Sequence, residues 1–304
     1  MALRSLDNAL SITPERPKKV AKVAVIPIRK PSSDLDVNDE NQAPHPPSAE
    51  PVIDYISSAD LKPITDPESS IQILMEGLES KDWTKVCESL NNARRFALYH
   101  SPLLLPILDK VMLVMVKAMK NPRSALCKTS IMAASDIFNT FGHNLLESST
   151  SDAFDQLLLQ LLLKASQDKK FVCEEAEKSL QAMVGSIPPV QLLNKLRVYV
   201  SHSNPRVRAK SAVSISHSVS KMGLEGMKEF GLVSLIQMVA DLLSDRLPEA
   251  REAARNTVTS IYDAFVGHEE FKNSELSPKE SWENLCCSNL SPIQAQSLIK
   301  IILS

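Results

Sequence analysis

From residue 67 onward, apolar residues recur every three or four positions, the period of one face of an α-helix. The segment 124–141 is typical: Leu126, Ile131, Ala134, Ile137 and Phe138 fall close to one stripe. Read this way, the chain resolves into helical pairs. The first is 71–80 with 84–100, the second 102–120 with 122–142, and the third 153–166 with 170–185. The fourth is 189–202 with 205–223, the fifth 228–244 with 247–267, and a shorter sixth is 277–289 with 291–304. Glycine is rare, at 7 residues, and aromatics are 5% of the chain, which favours helix over sheet. The pattern predicts an all-α fold.

The turns inside the pairs repeat as well. Asn-Pro-Arg occurs at 121–123 and again at 204–206. Asn or Asp before a helix can accept a bond from its first exposed amides, and a following Pro has a preset φ and no amide to orphan. Asp82, Asp168 and Asp245 occupy the matching position without the Pro and are expected to cap in the same way. Taken in order, these five markers are spaced by 39, 47, 36 and 41 residues. That period, roughly 40–47 residues, belongs to HEAT- and armadillo-type arrays. The chain is therefore expected to be an α-solenoid of about six helical hairpins, with equivalent turns aligned along one edge of the stack.

Composition separates a tail from this array. Ten of the 19 prolines lie in residues 1–67, and the first glycine is Gly77. Residues 1–66 are expected to be a mostly disordered, Pro-rich tail, with the folded body spanning 67–304. Within the tail, residues 16–30 carry six basic residues and no acidic one. This stretch reads as a solvated linker, an auxiliary contact to an acidic surface, or a nuclear-import signal. The N-terminus lacks the long apolar segment of a signal peptide, and the apolar runs are broken by charge well short of a membrane span. Five cysteines without CxxC spacing read as reduced, buried or semi-buried thiols of a cytoplasmic protein, with no metal site expected.

Charge and motif content narrow the function. A net charge of −2 gives no bulk attraction for nucleic acid. Phosphate-loop, dinucleotide and HExxH motifs are absent, and the six histidines are scattered. The reading is a binding protein, not an enzyme, with no cofactor, no small-molecule substrate and a monomeric state expected. The turns are more informative. They display Lys81 and Trp83, then Arg123, then Lys169 and Lys170, then Asn204 and Arg206, and last Arg246. A near-neutral chain thus gathers cations on one edge, which suits an acidic protein partner. Trp83 is either an anchor at one end of that edge or a cover for the first repeat. Arg208, Arg251 and Arg255 lie inside helices and read as structural. Asp245 and Glu249 dilute the charge of the fifth turn.

The segment ESKDWTKVCESLNNARRF resembles the opening of a TOG domain of the CLASP and crescerin (TOG array) type. NPRSALCKTSIMAASDIF, KFVCEEAEKSLQAMV and SNPRVRAKSA are similar to its later turns and helices. The resemblance covers residues 67 to about 265 and is weaker over 275–304. It implies a flat paddle of six HEAT repeats whose intra-repeat turns bind a tubulin heterodimer, and a microtubule-associated, cytoskeletal protein. Carried over by position, the contacts would be Lys81, Trp83, Arg123, Lys169, Lys170, Asn204, Arg206 and Arg246. The alternative is a general HEAT adaptor holding another protein or peptide. An adaptor would be expected to use the helical faces of a curved groove, not an edge of turns.

Overall fold

The computed structural model describes residue 53, residues 55–267 and residues 277–303. The basic segment 16–30 and most of the expected tail lie outside the described residues.

Each predicted pair is present as a helical hairpin. The first helices of the pairs are α1 (Pro67–Leu78), α3 with α4 (Ser101–Leu104 and Leu108–Lys120), α6 (Ser151–Ala165) and α8 (Pro189–Leu196). They continue with α10 and α11 (Leu224–Phe230 and Leu232–Leu242) and α13 (Pro278–Asn289). The second helices are α2 (Trp83–Tyr99), α5 (Ser124–Phe141), α7 (Lys170–Ser186), α9 (Pro205–Val219), α12 (Pro248–Gly267) and α14 (Pro292–Leu303). The second helices stack α2 on α5 on α7, then α9 on α12, while α4 packs on α6 in the other layer. Among the described residues there is no strand.

One contiguous core runs through the array, from Leu74 to Leu298. At the last hairpin, Trp282 is buried edge-on against Tyr262 and Phe265. The stack is closest within α2–α5–α7 and within α9–α12, and looser between α7 and α9. That seam is bridged by Lys210 of α9, whose ammonium lies 2.7 Å from Glu177 of α7 and 2.6 Å from Glu249 of α12.

Two helices read as continuous are broken. The run 102–120 is interrupted by a 3-10 turn at Leu105–Ile107, because Pro106 has no amide to donate and its ring crowds the preceding turn. The run 228–244 breaks at Gly231, whose φ of 104° is open to glycine and strained for other residues. The first Asn-Pro turn also differs from the second. α9 begins at Pro205, as expected, whereas α5 begins at Ser124 and leaves Pro122 outside. Among the cysteines, Cys287 is exposed and so departs from the buried or semi-buried expectation. Its neighbour Cys286 is buried, and burial, helped by Cys287 and Glu283, pushes its thiol up to about 12.

The larger correction concerns residues 55–66. Their composition is tail-like, yet they pack against α2 and α5. Leu61 is buried, and Ile53 and Ile64 pack on the core. The anchor is Arg94 of α2, whose Nε lies 2.6 Å from Asp136 of α5, with side-chain exposures of 1% and 4%. Arg94 also donates to the Ile56 carbonyl at 2.8 Å and to Asn91 at 3.0 Å. Ser58 donates to the second Asp136 oxygen at 2.6 Å. Tyr99 donates to the Leu61 carbonyl, and Lys128 sits 4.6 Å from the centre of the Tyr55 ring. Neither charge of the buried pair faces water, so the strap supplies the hydrogen bonds that desolvation would otherwise leave unmade.

Removing one partner of that pair strands the other charge. Asp136→Ala is expected to destabilise the chain by about 3–5 kcal/mol. A combined Arg94→Met, Asp136→Leu variant should lose much less, because it strands neither charge. Urea unfolding followed by circular dichroism checks both values.

Candidate interaction edge

The site begins with the local chemistry of four turns. Asp82, Asn121, Asn204 and Asp245 each accept, through Oδ1, the backbone amide two residues on: Thr84, Arg123, Arg206 and Leu247. All four bonds are 2.9 Å. A short polar side chain folding back on its own backbone fixes the turn's direction. The Thr84 hydroxyl and amide together hold the Asp82 carboxyl below the usual carboxylate range.

The third turn breaks the pattern. α7 starts after Lys169 with no side-chain cap. Asp168, expected to cap, instead receives the guanidinium of Arg206 at 2.6 Å. Arg206 also donates to the Ser166 carbonyl at 3.2 Å. The Asp168 carboxylate thus faces a cation of the next repeat instead of the amide two residues on.

That contact is one rung of a ladder. The Arg123 guanidinium of the second turn lies 5.4 Å from the centre of the Trp83 ring in the first. Lys169 of the third turn donates to Ser124, the first residue of α5, at 3.3 Å. Arg206 of the fourth turn reaches back to Asp168 of the third. Arg208, one turn into α9, reaches forward to Asp245 of the fifth at 2.6 Å and donates to the His202 carbonyl. Every turn from the first to the fifth is joined to the next by a basic side chain. The five turns therefore form one continuous edge.

Seven of the eight expected contact residues keep a polar or aromatic surface on this edge. Lys81, Arg123, Lys169, Lys170, Arg206 and Arg246 are exposed, and Trp83 is half-buried against the core. Lys170 pairs only loosely with Glu174 in its own helix, at 3.7 Å. Asn204 is half-buried and its oxygen is committed to the turn, so it shapes the edge more than it decorates it. Arg208 and Arg251 are structural, as their positions inside helices suggested: Arg251 donates to the carbonyls of Asp245 and Arg246. Lys117 was not anticipated. It is exposed in the last turn of α4 beside Trp83, one helical turn from Asn121, and the four-residue period placed it on this edge.

The fold and the edge define a class: a TOG domain, a HEAT-repeat body with its intra-repeat turns along one margin. The family described as "CLASP N terminal" matches residues 97–281, and the chain belongs to that family. "TOG array regulator of axonemal microtubules protein 1" of Mus musculus is 27% identical over 224 residues. The match covers 72% of this chain and 12% of the relative, so the chain spans a small part of that protein's length. Among solved structures, the TOG domain of C. elegans Zyg9 superposes with a TM-score of 0.55 at 16% identity, covering 81% of this chain and 88% of that one. A chain from work on TOG–tubulin binding specificity gives 0.52 at 15% identity, covering 77% and 82%.

The Arg208–Asp245 rung has a definite pH dependence. Burial alone would raise the Asp245 carboxyl. The Arg208 hydrogen bond and charge, with the Leu247 amide, outweigh it and hold the carboxyl below its usual range. A depressed folded value means the rung's stabilisation is complete above the unfolded value of about 3.9 and is lost as pH falls through the folded one. Asp245→Asn keeps the turn bond but removes the charge. It should cost on the order of 1.5–3 kcal/mol at neutral pH, the range for a hydrogen bond to a charged group. The difference from wild type should vanish only under strongly acidic conditions, in urea titrations run across pH.

Proposed function

We propose that this chain binds the tubulin heterodimer through its edge of intra-repeat turns and acts as a microtubule-associated regulator in the cytoplasm. The carrying observation is the ladder: five turns, far apart in sequence, meet as one surface presenting Lys81, Arg123, Lys169, Lys170, Arg206 and Arg246 beside Trp83. A row of cations on a chain of net charge −2 complements an acidic partner and speeds its encounter. The mouse relative is named a regulator of axonemal microtubules, and a neighbouring fold comes from work on tubulin binding, which supports tubulin as that partner.

In this reading Trp83 and Arg123 meet one subunit of the heterodimer. Lys169 and Lys170 lie over the middle, and Arg206 and Arg246 reach the other subunit from a turn that Asn204 shapes. The Arg206–Asp168 pair is largely solvated, with side-chain exposures of 54% and 89%. Such pairs contribute about 0–1 kcal/mol, so Arg206 can exchange Asp168 for a partner carboxylate at little cost. The pair orients the guanidinium before the partner arrives, which lowers the entropy lost on binding.

Trp83→Ala should weaken binding to unpolymerised tubulin by about 2 kcal/mol or more, as truncation of an interface hot spot does. Arg206→Glu should weaken it and slow association, with a smaller effect at high salt. Size-exclusion chromatography and stopped-flow association of the full chain check these, with thermal melting as a control for folding. Wild-type binding by both variants would refute the edge as the site.

A further inference from the structure

Between the first and second turns lies a slot of about 290 Å³. Its walls are Trp83 and Val86 of α2, Val114 and Ala118 of α4, and Leu126 of α5. Lys81 and Lys117 stand exposed on the rim, with Glu79 the acidic residue of the lining. The volume falls just below the range for small-molecule pockets, roughly 300–1,000 Å³, and suits an inserted side chain better than a cofactor.

The Trp83 ring is not a projecting knob. It packs on the core beneath, Arg123 lies over it, and it lines the slot. Swinging it outward to enter a partner would forfeit both contacts. The polarity of the contact is therefore the reverse of a simple anchor. We infer that the slot beside Trp83 is a receptor for one apolar side chain, of Leu, Met or Phe size, carried on an acidic surface loop of the partner. The apolar walls select the inserted group, and the two rim lysines select the carboxylates flanking it. Lys81 and Lys117, with Arg123 over the Trp83 ring, outnumber the two carboxylates of the first turn, Glu79 and Asp82. This rests on the tubulin reading above and assigns the first turn a specificity-determining role within it.

The test fills the slot without touching Trp83 or Arg123. Val114→Phe, at a half-buried wall position, and Ala118→Leu, at a buried one, are the filling variants; Lys117→Glu reverses the rim. Chains of all 304 residues are titrated against unpolymerised tubulin, with Arg206→Glu as the reference lesion on the same edge and thermal melting as the folding control. The filling variants should lose about tenfold or more in affinity, as removal of a hot-spot contact does; Val114→Phe should melt close to wild type, and Ala118→Leu lower because its site is already packed. Lys117→Glu should lose affinity in a salt-dependent manner; its exposed position makes it the informative variant if a filled core unfolds. Wild-type affinity in the filling variants and in Lys117→Glu, with binding lost in Arg206→Glu, would overturn the slot and leave the edge standing. Wild-type affinity in all four would overturn the edge, and the slot with it.

Discussion

A helical hairpin of about forty residues cannot bury its own apolar surface; it must lend one face to each neighbour. Everything else in this molecule follows from that constraint. Stacking α2 on α5 on α7, and α9 on α12, fixes the lateral spacing of the hairpins. Their intra-repeat turns are brought side by side whatever those turns contain. The core does the positioning, and the turns are free to vary in charge. A row of basic residues drawn from positions 81 to 246 becomes one surface only because Leu74 through Leu298 form one core.

Magnitudes separate two kinds of charge in the structure. Arg94 and Asp136 are sealed from water and hold the strap 55–61 against the first repeats. Breaking that pair is expensive, so it belongs to stability. Arg206 and Asp168 are mostly solvated, and their attraction is screened and small. Its value lies in orientation: a side chain rich in rotamers is already directed along the edge. Arg123 against Trp83 and Lys169 against Ser124 do the same. The exposed contacts of the edge, Arg206 with Asp168 and Lys169 with Ser124, are weak enough to be traded for a partner's.

Much of this was legible in the sequence, and the exceptions have physical causes. Hydrophobic periodicity found the helical pairs because each buried face repeats every three to four residues. The turn markers located the edge because Asn and Asp fold onto the following amides at four of the five turns. Asp168 escaped because a long-range cation competes with a local amide, and no local pattern reports a residue 38 positions away. The strap escaped for the same reason. Residues 55–66 look unable to fold alone, and they are held by Arg94 and Asp136 from other hairpins. Lys117 and the slot are hidden from the turn sequences because both belong to the end of α4, which only the packing of the hairpins brings beside Trp83. Pro106 and Gly231 break helices that read as continuous because the apolar period continues over both and hides the breaks.

Hydrogen–deuterium exchange of the full chain, alone and with unpolymerised tubulin, tests the edge most directly. Protection is expected at the five intra-repeat turns, near residues 79–83, 121–124, 168–170, 203–206 and 245–247. The opposite margin, at 142–150 and 220–223, should exchange unchanged. Protection confined to that opposite margin, or to the outward faces of α7, α9 and α12, would contradict the edge as the site.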